Sequence, residues 1–213
     1  MFATWRSGEP VTALGVAGFF WAVFAFYWLI MSFGRTRARR RENPLGRLFH
    51  VLYMGTAFYL LYPRNSQVGV LRERFAPRTP WIAVLGVALT GFGVAFAIWA
   101  RHHIGKQWSS QVEIREDHKL IATGPYATIR HPIYTGMLTA MLGTALIIGE
   151  WRGLAAVVIA TFGFWIKARQ EERFLEQEFG AAYAEHRRRT GFFLPPLFRR
   201  ASPSSGVQSS SSV

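Results

Sequence analysis

Apolar residues in this chain fall in blocks separated by polar, mostly basic segments. From Val11 to Phe33 and from Trp81 to Ala100 no residue carries a charge, and each block reaches the roughly 20 helical residues needed to cross a hydrocarbon core. Shorter charge-free blocks run from Leu48 to Tyr62, Ile133 to Gly149 and Gly153 to Ile166. A backbone in lipid must satisfy its own hydrogen bonds, so a chain that already crosses twice favours helix in these blocks too. The pattern predicts five transmembrane helices. The last two form a tight hairpin through Glu150, Trp151 and Arg152, and the fifth continues past Ile166 into water. There Leu175, Phe179 and Tyr183 recur at a spacing of four among charges, which predicts an amphipathic helix lying on the membrane surface or packed on the preceding polar loop. The expected fold class is all-α integral membrane: a three-helix region over residues 1–100, a core over 101–198 and a disordered serine-rich tail over 199–213.

Charge sets the expected orientation. The formal net charge is +13, a balance that could suggest nucleic acid, but its distribution follows the membrane pattern instead. With the N-terminus outside, Arg6, Arg64, Arg72, Arg74, Arg78 and Arg152 lie outside and the other Lys and Arg residues, most of the 25, lie inside, as the positive-inside rule requires. The cluster Arg35, Arg37, Arg39, Arg40 and Arg41 follows the first block directly and suits anionic headgroups. A retained first helix is expected, since its apolar stretch is far longer than the core of a cleaved signal. This topology implies a multi-pass protein of the bacterial inner membrane with a cytoplasmic C-terminus and no nucleic-acid partner. The chain has no cysteine, which excludes disulfides, thiolate catalysis and self-prenylation at a C-terminal box.

The chemistry-bearing residues are concentrated on the inner side. The segment Arg101–Pro132 holds four of the six histidines and is too long for a plain connector. Gly124 and Pro125 make a sharp turn before Tyr126. Pro132 suits the first turn of a helix, which puts Arg130 and His131 at the mouth of the fourth helix, where free N–H groups favour a carboxylate. An Arg-Pro helix start also serves topology alone. Glu171 and Glu172 stand at the exit of the fifth helix, where carboxylates are costly unless they face water, a cation or a ligand. Lys167 and Arg169 precede them, and Lys167–Glu171 pairing at i, i+4 satisfies the same charges without any ligand.

The ordered set Gln111, His118-Lys119-Leu120-Ile121, Gly124-Pro125-Tyr126, Arg130-His131-Pro132-Ile133-Tyr134, Glu171-Glu172, Phe179-Gly180 and Tyr183 resembles the isoprenylcysteine carboxyl methyltransferases and their phospholipid-methylating relatives, over about Trp99 to Pro196. The resemblance implies S-adenosylmethionine as cofactor. It implies that Gln111, His118, Lys119, Leu120, Ile121, Gly124, Tyr126, His131, Pro132, Ile133, Tyr134 and Glu171 contact it. Lys167, with Arg169 as alternative, would bind the substrate; Lys167 stands where the family usually has an arginine, and presents a point charge in place of a flat fork.

Methyl transfer from a sulfonium is an in-line displacement that rests on holding two reactants in line. On this reading Glu171 pairs with the cofactor's ammonium, while Arg130, His131 and the amides at the helix mouth meet its carboxylate. A carboxylate acceptor needs no base; for an amine or thiol, His118, His131 or Glu172 would serve. The acceptor is expected to be lipophilic: a prenylcysteine-like or isoprenoid acid, a phospholipid amine, or a small thiol. Two other readings compete, an NADPH-dependent reductase of a sterol-like lipid and a helical membrane adaptor that docks a partner on the amphipathic helix. No metal is expected, because adjacent His102-His103 lacks the spacing of a helical zinc pair and no HExxH occurs.

Overall fold

A computed structural model describes residues 9–32, 44–61, 69–105 and 120–196. The Arg35–Arg41 cluster, Gln111, His118, Lys119 and the serine-rich tail lie outside the described residues. The rest is a bundle of five helices: α1 (Glu9–Ile30), α2 (Pro44–Leu61), α3 (Pro80–Ile104), α4 (Pro132–Ile148) and α5 (Trp151–Arg189). Three are long and apolar enough to cross a membrane: Thr12–Ile30 of α1, α3 and α5. The apolar part of α2, Leu48–Leu61, and the 17 residues of α4 are shorter, α4 spanning about 26 Å. Large apolar side chains face outward along the long helices, among them Phe19, Phe26, Val84, Phe92, Val158 and Phe162. Such a surface is expected of a protein whose solvent is lipid.

The tightest contact joins α3 and α4 through four glycines. A methyl group added at Gly93 would come within 2.5 Å of the Gly136 carbonyl oxygen, and one at Gly136 within 2.6 Å of that of Gly93. Gly86 and Gly143 oppose each other in the same way, at 2.7 and 2.5 Å. In both helices the pair is seven residues apart, so the small side chains form one stripe and the antiparallel backbones touch. Thr90 lies inside this contact; its hydroxyl donates to Gly86 O at 2.8 Å and sits 3.3 Å from the Thr144 hydroxyl. Thr144 in turn accepts from the Trp21 indole at 3.0 Å, which fastens α1 to α4.

The helices alternate in direction. Ala13 and Ala17 pack near Ile147 while Trp28 packs near Ile133, so α1 runs against α4. Tyr53 meets Phe164 and the Leu60 carbonyl accepts from Arg152 at 2.7 Å, so α2 runs against α5. The α4–α5 hairpin turns at Gly149, left-handed with φ 65°. Residues 69–79, part of the segment from Pro63 to Pro80 that its prolines predict to be an ordered surface connection, close that end: Arg74 donates to Ile148 O at 3.0 Å and Ala76 O at 3.1 Å, satisfying a helix-terminal carbonyl. Beyond Ile166 α5 continues as expected, but Gly180 (φ 49°, ψ −118°) interrupts it. The stripe of Leu175, Phe179 and Tyr183 is therefore broken between its second and third members.

The glycine stripe predicts a sharp positional effect. Gly93→Val should lower the unfolding midpoint in detergent by an amount corresponding to about 1–3 kcal/mol or more, the cost of overpacking, whereas Gly18→Val, with nothing within 4 Å of the added carbon, should leave it near wild type. Equal midpoints for the two variants would contradict the packing described.

Candidate active site

The alternation places the C-terminal end of α3, the N-terminal ends of α2 and α4 and the second half of α5 at one end of the bundle, and the polar residues singled out from sequence gather there. His131 stands at the N-cap of α4 with Pro132 at its first turn, and no side chain caps the helix. The His131 imidazole lies between two carboxylates, Nδ1 3.6 Å from Glu171 and Nε2 3.5 Å from Glu172. Each glutamate has a further partner. The Tyr134 hydroxyl donates to Glu171 at 2.6 Å and Arg130 Nε donates to Glu172 at 2.6 Å.

The two glutamates are not equivalent. Glu172 has a side chain 3% exposed and sits between Arg130 and Arg169, the latter at 3.4 Å. The Glu171 side chain is 28% exposed, so its carboxylate keeps an open side. Arg130 also donates to the carbonyls of Arg187 and Thr190. Its guanidinium, expected to face a ligand, is engaged by the chain itself.

Those carbonyls introduce an element that sequence did not suggest. Residues 190–196 form a strap across the mouth of α4: Arg130 N donates to Gly191 O at 2.9 Å, Gly191 N to Thr128 O at 2.9 Å, and the Thr135 hydroxyl to Phe193 O at 2.6 Å. The strap lays Phe192 against His131 with ring centres 5.0 Å apart. Arg130 and Arg169 both pack on the Phe192 ring, each 5.5 Å from its centre. The aromatic pair after the basic helix end was the only sequence signal available.

The remaining assigned residues line the same end. Gly124 (φ 57°) opens a short 3₁₀ turn, Gly124–Ala127, and an added Cβ would collide with the His103 ring at 2.6 Å. His103 Nε2 pairs with the Thr123 hydroxyl at 2.9 Å. Tyr126 is buried with Ala100 and Ile133, and Ile121 packs against them. Leu120 is half-buried beside this cluster in sequence. Burial first, then the negative charge of Glu171, push the Tyr126 phenol pKa up, so Tyr126 stays protonated. Lys167 lines a small cavity with His50, Tyr53 and Gln170, on the α2 side of Glu171.

Residues 81–182 match the family model described as phospholipid methyltransferase. The chain is 32% identical over 120 residues to the cobalt-zinc-cadmium resistance protein CzcN of Cupriavidus metallidurans, covering 55% of this chain and 52% of that protein. It is 31% identical over 120 residues to the protein-S-isoprenylcysteine O-methyltransferase of Saccharomyces cerevisiae, covering 55% and 50%. The human protein-S-isoprenylcysteine O-methyltransferase is 28% identical over 118 residues, 54% and 42% of the two chains. Over residues 81–182 the chain is therefore similar to phospholipid methyltransferases, and over about 120 residues to isoprenylcysteine O-methyltransferases. It spans about half the length of the first two relatives. The matched region holds α3, α4 and α5 to just past the Gly180 kink, and so contains the turn at Tyr126, the mouth of α4 and both glutamates.

The cluster has a defined pH signature. Both His131 and Glu172 lie beyond the charge-free stretches that begin at Ile133 and end at Ile166. Burial disfavours the imidazolium, but Glu171 and Glu172 together outweigh it and raise the His131 pKa above 6.5. Burial likewise disfavours the Glu172 carboxylate, but His131 and Arg130 outweigh it and hold its pKa at about 2, below the ordinary 4.5. The raised group stabilises fully below 6.5 and loses that contribution as pH rises through its folded value; the lowered group stabilises fully above 4.5 and loses it as pH falls towards 2. The unfolding midpoint should therefore be highest between these limits. His131→Gln should flatten the alkaline limb and Glu172→Gln the acid limb; limbs unchanged in both variants would contradict the coupling.

Proposed function

We propose that this protein transfers a methyl group from S-adenosylmethionine to a lipophilic acceptor at the membrane surface. The observation that carries this reading is the Tyr134–Glu171–His131–Glu172 cluster between the mouth of α4 and the exit of α5, in a chain whose named relatives include O-methyltransferases. Sulfonium methyl donors suit such a site: the cofactor carries an ammonium, a carboxylate and an adenine ring. Glu171 offers a half-open carboxylate for the ammonium, and His131 Nε2 is buried without a hydrogen-bond partner among the described residues. When bound, S-adenosylmethionine would supply an electrophilic methyl that an acceptor oxygen attacks, the C–S bond breaking as the O–C bond forms and its electron pair leaving with sulfur.

On this proposal Glu171 holds the ammonium and Tyr134 fixes the carboxylate rotamer by its hydrogen bond. His131 and the uncapped amides at the start of α4 hold the cofactor's carboxylate. Glu172 and Arg130 position the strap and the α4 mouth around it. Tyr126, Gly124, Pro132 and Ile133 shape the wall, and Gln111, His118, Lys119, Leu120 and Ile121 complete it by their resemblance to the family's pattern. Lys167 and Arg169 face the acceptor. The strap and its phenylalanines exclude water from a reaction that disperses charge. Five crossings, with the site on the cytoplasmic face of a bacterial inner membrane, accord with the alternating helices and with the distribution of basic residues.

Ligand-induced stabilisation separates this from the rival readings. S-adenosylhomocysteine should raise the unfolding midpoint of the detergent-solubilised protein and NADPH should not, because only a ligand of the native state stabilises it. Glu171→Ala should weaken S-adenosylhomocysteine binding at least tenfold, the loss of about 1.5–3 kcal/mol for a hydrogen bond to a charged group. A response to NADPH alone would establish a reductase, and a response to neither would leave the adaptor.

A further inference from the structure

The turn that carries Tyr126 is held from outside by a residue that the cofactor reading leaves unassigned. Thr123 stands at the N-cap of the 3₁₀ turn Gly124–Ala127, yet its side chain makes no capping hydrogen bond to that turn. A threonine in such a position ordinarily gives its oxygen to the amides just ahead of it. Here the Thr123 hydroxyl lies 2.9 Å from Nε2 of His103, 20 residues earlier in the chain and in the last turn of α3. Either group can donate, so the contact is compatible with both imidazole tautomers.

The His103 ring also lies flat on the turn. An added Cβ at Gly124 would meet Cε1, Nε2 and Nδ1 of that ring at 2.6, 2.7 and 2.8 Å, near-equal distances that set the face of the imidazole over the glycine. The same ring runs within 22° of parallel to Tyr126, ring centres 6.5 Å apart. Tyr126 in turn is buried with Ala100 and Ile133, with Tyr134 packed against them, and its phenol feels the charge of Glu171. His103 thus touches the turn, the turn fixes Tyr126, and Tyr126 packs on the mouth of α4. His103 and Thr123 are themselves exposed, so their contact contributes to the placement of the turn more than to the burial of a core.

We propose that His103 is a positioning residue for the methyl donor: through the Thr123 hydroxyl and the face of Gly124 it fixes the turn at Tyr126, and donor affinity depends on that contact although His103 acts only through the turn. This rests on the methyl-transfer reading. A binding site has to hold its wall residues to within about 0.5 Å, and supporting hydrogen bonds from residues behind the wall are what hold them there. An exposed pair that adds little to the stability of the fold can therefore carry a measurable share of ligand affinity.

The test uses the full-length protein in lipid nanodiscs with two readouts: affinity for S-adenosylhomocysteine, and the fluorine resonance of Tyr126 in protein labelled with 3-fluorotyrosine, assigned by its loss in Tyr126→Phe. His103→Phe keeps a ring and loses the hydrogen bond, while Thr123→Val keeps the shape and loses the hydroxyl. Each should weaken S-adenosylhomocysteine binding about threefold to tenfold, the range that one hydrogen bond sets. The double variant should lose no more than either single one, since both remove the same contact. Thr123→Ser should bind as the wild type does, and so should His102→Leu, which removes the neighbouring exposed imidazole. His103→Leu should move the Tyr126 resonance with little change in the ligand-free unfolding midpoint. Thr123→Val reports even if a His103 variant does not fold. Wild-type affinity in both His103→Phe and Thr123→Val, losses that add in the double variant, a loss in Thr123→Ser equal to that in Thr123→Val, or an unmoved Tyr126 resonance in His103→Leu would overturn the assignment with the cofactor site intact. Failure of the wild-type protein to bind S-adenosylhomocysteine would overturn the methyl-transfer reading and this proposal with it.

Discussion

Two adjacent carboxylates at the exit of an apolar helix impose the constraint around which the polar end of this protein is organised. Removing a carboxylate from water is costly unless cations and hydrogen-bond donors meet it. Glu172, almost fully buried, is met by Arg130, with His131 and Arg169 close by. Arg130 reaches it only because the mouth of α4 is held beside α5, and Arg130 then uses its remaining donors on the carbonyls of Arg187 and Thr190. One buried charge thus determines the course of the chain from residue 187 to residue 196. The strap is a consequence of neutralising Glu172 as much as a cover over it.

The same constraint divides labour between neighbours in sequence. Successive helix positions point about 100° apart, so Glu171 cannot share the environment of Glu172. Glu172 points into the tether formed by Arg130 and the strap. Glu171 points towards Tyr134 and retains an open side. The phenol hydrogen bond orients the Glu171 carboxylate without cancelling its charge. His131, stacked with Tyr134 at 5.7 Å and wedged under Phe192, keeps the two carboxylates from repelling each other.

The helices, the α4–α5 hairpin, Pro132 at a helix start and the meeting of Tyr126, His131 and Glu171 at one end were legible because each leaves a local mark: charge-free length, a proline, a pair of acids. The features that fix those marks in space were not. The α3–α4 contact depends on Gly86, Gly93, Gly136 and Gly143 matching across two helices, and glycines in an apolar run look alike until the partner helix is known. The strap pairs residues 128–131 with 191–192 through backbone groups, which carry no sequence signature at that separation. Arg74 as a cap for α4, and Arg130 as a tether in place of an open cation, were hidden for the same reason: an arginine's sequence neighbours do not reveal which carbonyl it will reach.

The family match covers residues 81–182, and the division it draws has a physical counterpart. α3, α4 and most of α5 form a unit closed by the glycine contact and the hairpin, and that unit alone supplies Tyr126, His131, Tyr134 and both glutamates. α2 lies outside it and touches it mainly along α5, where Gly163 and Phe164 receive Tyr53. A change in α2 can therefore alter what lies against Lys167 without moving the carboxylates, because Phe164 is held from the other side by Tyr134.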